Sequence, residues 1–410
     1  MDVVDLADPE AHAAWFRAKT RGFLRPAPAP EAVEEQRHHW VDGVRLVGVH
    51  DATAAMPAEP VATSSCFPTD LTVPGGRTVS AWAITGITVS PTHRRRGIAR
   101  HLVEAELRTA RALELPVAIL TVSESTIYSR FGFAPGVFGR DVTISRRRVR
   151  WTGPTPTGRV HVVSAEQFRE TTPAIVDRVR VDRPGEISYS RHLWSRPLGV
   201  GLPDEEVRKL RFLRYDDADG TAQGFAIVEI AEDTATFPDF TENTLRLHSL
   251  VAATTDAYAA LWRHLLEMDL IATITAHLRP VDEPLRWMID DFRAVTVDEY
   301  DHLWVRVVDV PAALSARTFA RSGRLVLAVD DQLGLADGTW VLDVDAEGRA
   351  TVAASSDPAD VTLTAAALGA LFLGGVRAST LAAAGTLTGD AAAVDALFAS
   401  PVAPHLSIWF

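Results

Sequence analysis

The spacing of apolar positions changes period near residue 90, and the change separates a strand from a helix. Before it, Trp82, Ile84, Ile87 and Val89 form an apolar β-type run that Pro91 closes. After Gly97, the residues Ile98, Leu102, Val103, Leu107, Ala110 and Leu113 fall at helical spacing. The same reading predicts a helix over Ala11–Thr20 and strands over Val44–Val49 and Val61–Phe67. A short apolar run behind Pro116, Val117–Val122, is too brief for a helix and reads as a strand. Alternating β and α units imply an α/β sheet with helices on its faces.

The pattern then recurs. Beyond a Pro-, Thr- and Gly-rich stretch at Trp151–Gly158, strands are predicted at Phe225–Ile230 and Thr244–Val251. A helix over Thr255–Met268 and a strand over Ile271–His277 follow in the earlier order, which suggests a duplicated fold. From Val295 the character changes. Predicted strands at Leu303–Val308, Gly323–Val329, Gly338–Asp343 and Thr351–Ala354 form a meander, and Ala- and Leu-rich helices cover Thr364–Leu373 and Asp390–Ala399. A chain of 410 residues exceeds one ordinary core, and the expected domains are 1–150, 151–294 and 295–410.

Composition narrows the function. With 47% hydrophobic and 23% charged residues the chain is globular rather than disordered. A net charge of −12 argues against a nucleic-acid backbone binder and fits a cationic small substrate. The run Arg146–Arg148 accordingly reads as a solvated strand edge. Cys66 is the only cysteine, so an intrachain disulfide and a cysteine-based metal cluster are excluded, and no metal is expected. No basic neighbour is at hand to make it a thiolate. Asp2, Asp5 and Asp8 precede any basic residue, no signal-type apolar region follows, and no run reaches membrane-span length. A cytoplasmic protein without a membrane partner is the expectation.

Candidate chemistry gathers at the strand-to-helix turn. Main-chain N–H groups of Arg95–Arg100 lack intrahelical partners there and carry the positive end of the helix dipole. Gly97 lets a ligand approach the backbone, and the flanking arginines add fixed charge. A pyrophosphate suits such a site. No Gly-Lys-Ser/Thr follows, which excludes a Walker loop, and the three glycines of a dinucleotide fingerprint are missing. The plain alternative is an Arg-rich helix start on a solvated surface.

The spacing Arg94-x-x-Gly97-x-Ala99 resembles the acyl-CoA pyrophosphate loop of the GNAT acetyltransferases. That resemblance implies contacts to the pyrophosphate from Arg95, Arg96, Gly97, Ile98, Ala99 and Arg100. It also implies main-chain contacts from Ile87, Thr88 and Val89 to the pantetheine arm, with Ser123 and Glu124 starting the turn that flanks it. In the segment Thr121–Phe133, Tyr128 occupies the place of a tyrosine in the following helix that protonates the departing thiolate. Ordinary strand and cap roles, and a tyrosine packed with its hydroxyl in solvent, are the alternatives. The second copy has neither Gly nor Arg between Val251 and Ala257, so it is expected to bind no CoA.

The whole chain resembles the Eis (enhanced intracellular survival) family of N-acetyltransferases, most strongly over Ile84–Phe133 and Asp301–Val310. The fold implied is two tandem GNAT units, the second degenerate, followed by a sterol-carrier-protein-like α/β domain. The activity implied is acetyl-CoA-dependent acetylation of amines, aminoglycosides among them, by a homohexamer. Transferred by position, Tyr128 is the general acid and the terminal carboxylate of Phe410 the general base. A free α-carboxyl, with a pKa of roughly 3.3–3.7, is a poor base until desolvation raises it. Leu406, Ile408, Trp409 and Phe410 make an apolar chain end, which suggests a pinned one. Trp15, Phe23, Trp40 and Phe67 are candidates for a pocket wall. Acetylation of protein lysines or polyamines, and a non-catalytic lipid-binding or scaffold role, remain as alternatives.

Overall fold

The computed structural model describes residues 1–39, 43–190, 193–194, 204–232 and 241–410. Its strands are β1 (Asp2–Val3), β2 (Arg45–Val49), β3 (Ala62–Val73), β4 (Arg77–Val89), β5 (Val117–Thr121) and β6 (Ala134–Ser145) in the first part of the chain. Next come β7 (Arg159–Val163), β8 (Leu210–Asp216), β9 (Ala222–Ala231), β10 (Asn243–Ala252), β11 (Ile271–Arg279) and β12 (Val295–Val307). All twelve join one sheet in the order β1-β2-β3-β4-β5-β12-β6-β11-β10-β9-β8-β7. A second sheet of five strands, β13 (Gly323–Asp330), β14 (Gly338–Val344), β15 (Ala350–Ala354), β16 (Val361–Thr364) and β17 (Leu387–Gly389), has the order β15-β14-β13-β16-β17.

Duplication is written into the large sheet. In the first unit β4 runs parallel to β5, joined by the helix Ile98–Ala112; in the second, β10 runs parallel to β11, joined by the helix Thr255–Glu267. The last strand of each unit crosses into the other. β12 pairs with β6 through its first half and inserts between β6 and β5 with its second, where Leu303 opposes Thr121 and Val307 opposes Val117. β6 in turn reaches β11, from Thr273↔Ser145 to Arg279↔Arg140. The change of character expected at Val295 therefore falls at the start of a large-sheet strand, and the separate sheet begins only at Gly323.

Period-two alternation fixes what covers each face of the first unit. Trp82, Ile84, Ala118, Leu120 and Trp304 point to the helix Ile98–Ala112 and meet its Val103, Leu107 and Ala110. Ala81, Ala83, Val117, Ile119, Leu303 and Val305 point the other way and share a core with Leu325, Leu327, Leu368 and Phe372 of the C-terminal part. The helix Ala365–Leu371 lies so close to β12 that a Cβ on Gly369 would stand 2.3 Å from the Val305 carbonyl oxygen. Replacing any large member of this shared core by Ala costs about 2–5 kcal/mol and loosens the junction that carries the chain end.

The run Arg146–Arg148 forms a single 3-10 turn rather than a strand edge. Each arginine finds its own partner: Arg146 donates to the Leu266 carbonyl at 2.9 Å, Arg147 pairs with Glu242 at 2.6 Å, and Arg148 pairs with Asp291 at 2.7 Å. No described helix is long and apolar enough to cross a membrane.

Candidate active site

At the turn after β4 the backbone is left-handed at Arg95, with φ +64°, and at Gly97, with φ +80°. A non-glycine residue in that region costs roughly 1–2 kcal/mol, so the bend is held by its surroundings. Gly97 caps the helix Ile98–Ala112, and a Cβ built on it meets nothing within 4 Å. Open space over a helix N-terminus is what an anionic group requires. Arg95, Arg96 and Gly97 are exposed, Ile98 and Ala99 half-buried. Among the described residues Arg94, Arg95 and Arg96 have no carboxylate partner, whereas Arg100 pairs with Glu104 at 2.7 Å. The predicted loop residues thus come together on one cradle.

Beyond the loop the sheet opens. β4 and β5 pair from Ala81↔Val117 to Ile84↔Leu120 and no further, so the stretch Thr85–Val89 diverges from Thr121 and Val122. A bulge at Gly86, with φ +63°, bends β4 at this point, and a Cβ there would stand 2.6 Å from the Ser65 hydroxyl. Thr88 is buried with its hydroxyl 2.7 Å from that of Thr63, so its side chain is committed to the sheet and its main chain remains for a ligand. Ile87 joins the apolar cluster that holds Ile127, Tyr128, Phe131 and Phe133. Ser123 and Glu124 lie exposed on the intervening turn.

Tyr128 precedes a single 3-10 turn, Ser129–Phe131, rather than sitting in a full helix as the sequence suggested. Its ring meets Phe133 edge-on at 6.3 Å. Burial in this cluster, reinforced by the Glu124 carboxylate, pushes its hydroxyl up to about 12. The sign is clear: the proton-bearing form persists throughout the neutral range. Phe131 and the Gly132 turn are locked from behind by the buried Arg306, which donates to the Phe131 carbonyl at 2.9 Å and pairs with Asp331 at 2.6 Å.

The chain end reaches the same opening from the opposite face. Thr121 follows Leu120, so alternation points it toward the C-terminal part. Its hydroxyl donates to a terminal oxygen of Phe410 at 2.7 Å. The Phe410 ring is buried and packs edge-on against Phe67, with centroids 5.7 Å apart. Upstream, the His302 ring bonds to the Ile408 carbonyl at 2.9 Å and lies against Trp409. Burial pulls His302 down to about 4, so it is neutral and its Nε2 donates to that carbonyl. The apolar end anticipated from sequence is pinned in the structure. Thr121 and His302 were not foreseen, because a lone hydroxyl and a lone imidazole in strands carry no pattern.

Of the proposed wall residues, Phe67 alone is seen at the chain end. Trp15 is fully buried and donates from Nε1 to the Val47 carbonyl at 2.8 Å, Phe23 is exposed, and Trp40 lies outside the described residues.

In the second unit the equivalent opening is partly occupied by protein side chains. β10 and β11 part after Leu247↔Ala276, and the buried Arg279 reaches across, donating to the Leu250 carbonyl at 3.1 Å. Thr254 caps the helix Thr255–Glu267, and Asp256 in its first turn accepts bonds from Thr157 and Tyr215. An aspartate at that terminus repels phosphate. What remains is a cavity of about 320 Å³ bordered by Glu186, Arg279, His405 and Ser407.

An opened parallel strand pair beside a glycine-capped helix defines an acyl-transferase of the GNAT class, and comparison with known proteins agrees. The acetyltransferase (GNAT) domain family matches residues 4–136, a second acetyltransferase (GNAT) domain family matches 185–307, and the sterol carrier protein domain family matches 310–407. An uncharacterized N-acetyltransferase of Streptomyces avermitilis is 35% identical over 97% of this chain and 96% of its own. The N-acetyltransferase Eis of Mycobacterium tuberculosis is 34% identical over 81% of each chain. The crystal structure of Eis1 from Mycobacterium abscessus superimposes with a TM-score of 0.81 at 28% identity, covering both chains fully. The chain belongs to the Eis family of N-acetyltransferases.

Proposed function

We propose that this N-acetyltransferase transfers acetyl from acetyl-CoA to amines of cationic small molecules, aminoglycoside-like in charge and of broad range. What supports the reading is the parting of β4 and β5 beyond Ile84↔Leu120, with the Gly97 helix start following β4, Tyr128 clustered with Ile87 on one face, and Phe410 bonded to Thr121 on the other. The pyrophosphate rests on the N–H groups of Arg95–Arg100 with the Arg95 and Arg96 side chains nearby, and the pantetheine arm follows the main chain of Ile87–Val89 between β4 and β5. Tyr128 lies on the helix face of the sheet and Phe410 on the other, so the two reactants approach through the opening from opposite sides.

The Phe410 carboxylate takes a proton from the bound ammonium, directly or through one water, and the free amine attacks the thioester carbonyl. A carbon–nitrogen bond forms and the carbon–sulfur bond breaks. Tyr128 donates to the departing sulfur, and the proton shed by the new amide nitrogen restores its hydroxyl through solvent. Charge supports the substrate class, since the chain carries −12 overall. The homohexamer implied by the family belongs to this proposal and is read by light scattering.

A thiol-release assay with acetyl-CoA against aminoglycosides, polyamines and lysine peptides tests the reading. Turnover on aminoglycosides above that on the other classes is expected. Turnover confined to lysine peptides or simple polyamines reassigns the substrate while leaving the chemistry in place.

A further inference from the structure

Among the buried acids that the mechanism leaves unused, Glu186 is the one tied to the chain end. Glu186 is 4% exposed and lies in the second unit, on a segment that runs beside β3. Its carboxylate accepts from the Ser407 hydroxyl at 3.2 Å. Tyr189 adds a bond of 2.7 Å between its hydroxyl and that of Ser407. A carboxylate in such surroundings is costly unless it is bonded, and its bond goes to the chain end.

The segment is built for this contact. Gly185 has φ +96°, and a Cβ on it would stand 2.8 Å from the His405 carbonyl oxygen. His405 N–H donates to the Pro184 carbonyl at 2.8 Å, so the two backbones lie directly against each other. The segment is fastened to β3 by Gly185 N–H to the Thr72 carbonyl at 2.9 Å and Thr72 N–H to the Glu186 carbonyl at 2.8 Å. β3 also carries Phe67, the seat of the Phe410 ring. Anchor and seat therefore share one strand.

We propose that Glu186 is a positioning residue for acetyl transfer, which holds Ser407 and thereby fixes the Phe410 carboxylate at Thr121. This rests on the reading of Phe410 as the base. Only three residues separate Ser407 from the terminus, a span of at most about 10 Å, so the clamp limits where the carboxylate can go. A misplacement of about 1 Å at a reacting group can cost a hundredfold in rate.

Titration supplies a readout that packing alone would not. Burial raises the Glu186 carboxyl to about 7, against the Ser407 hydrogen bond and the Arg183 and Arg180 charges that lower it. The groups around it are Arg180, Arg183 and Tyr189 from its own side, His405 and Ser407 from the chain end, and Arg279 from β11. His405 is held neutral by burial, Arg183 is paired with Asp282 at 3.1 Å, and Arg180 with Asp177 at 2.7 Å. Above that value the bond from Ser407 is made to a charged acceptor and is stronger; below it the clamp slackens.

The test compares wild type with Glu186→Ala, Glu186→Gln and Ser407→Ala, by steady-state kinetics and by amide hydrogen exchange of residues 406–410. Glu186→Ala and Ser407→Ala should lower kcat about tenfold or more and speed exchange at the chain end, with KM for acetyl-CoA changed less than about twofold. Glu186→Gln keeps an acceptor of the same shape, so it should retain intermediate turnover and lose the step near neutrality in end protection. If Glu186→Ala does not fold, the Gln and Ser407 variants decide. Unchanged exchange in the variants overturns the clamp. Faster exchange with unchanged kcat shows that the clamp exists but that Phe410 is not the base, which removes its catalytic purpose.

Discussion

Replacing Tyr128 by Phe should lower turnover by about 10²-fold or more while leaving acetyl-CoA affinity nearly intact. The ring stays in its apolar cluster with Ile87, Phe131 and Phe133, so the fold loses nothing but a hydroxyl. That hydroxyl acts only as charge develops on the departing sulfur. A thiolate with a pKa near 8.5 is a weaker base than the buried phenolate, so transfer is not complete before the carbon–sulfur bond breaks; a hydrogen bond that strengthens as it breaks is the main contribution. Because burial and Glu124 hold the hydroxyl up to about 12, its ionisation should cause no fall in rate below about pH 11. Steady-state kinetics across pH check both statements. Turnover equal to wild type would return Tyr128 to a packing role.

An extension of a few residues beyond Phe410 should abolish turnover in a protein that remains folded. The added peptide turns the terminal carboxylate into an amide carbonyl, which cannot take a proton, and places the new carboxylate at least one residue away. A base must lie within about 2.6–3.2 Å of the proton or one water from it, and one residue spans about 3.3–3.6 Å. Phe410 itself is kept, so its packing on Phe67 and the Thr121 bond can survive; deletion of Phe410 would confuse lost packing with lost chemistry. Kinetics of the extended enzyme, with circular dichroism as a check on folding, read the effect. Full turnover would leave Phe410 without a catalytic role.

Much of this arrangement was legible in the chain. The change of period at Gly97 marked a helix start, and alternating apolar residues marked β4 and β5, because both have one buried face with a regular repeat. The crossing of β6 and β12 was not legible. β6 contains Pro135, Gly136 and Gly139, and the first half of β12 carries Asp298, Glu299 and Asp301, residue types that are depleted in strands. Both are strands because each finds a neighbour from the other unit, and pairing across 150 residues of sequence leaves no local signal. The same holds for the seat of Phe410. Its apolar end was visible, but Thr121, His302 and Glu186 are single polar residues whose meaning comes only from what they touch.

Calorimetric titration of acetyl-CoA is the most direct measurement, applied to wild type and to the double charge reversal Arg95→Glu with Arg96→Glu. Among the described residues the exposed Arg95 and Arg96 pair with no carboxylate, so the double variant should fold normally. Two carboxylates at a helix N-terminus would oppose the pyrophosphate by both charge and dipole. One acetyl-CoA per chain is expected in wild type, and none in the double variant. Undiminished binding in the variant, or two molecules per chain in wild type, would contradict a single transfer site in the first unit.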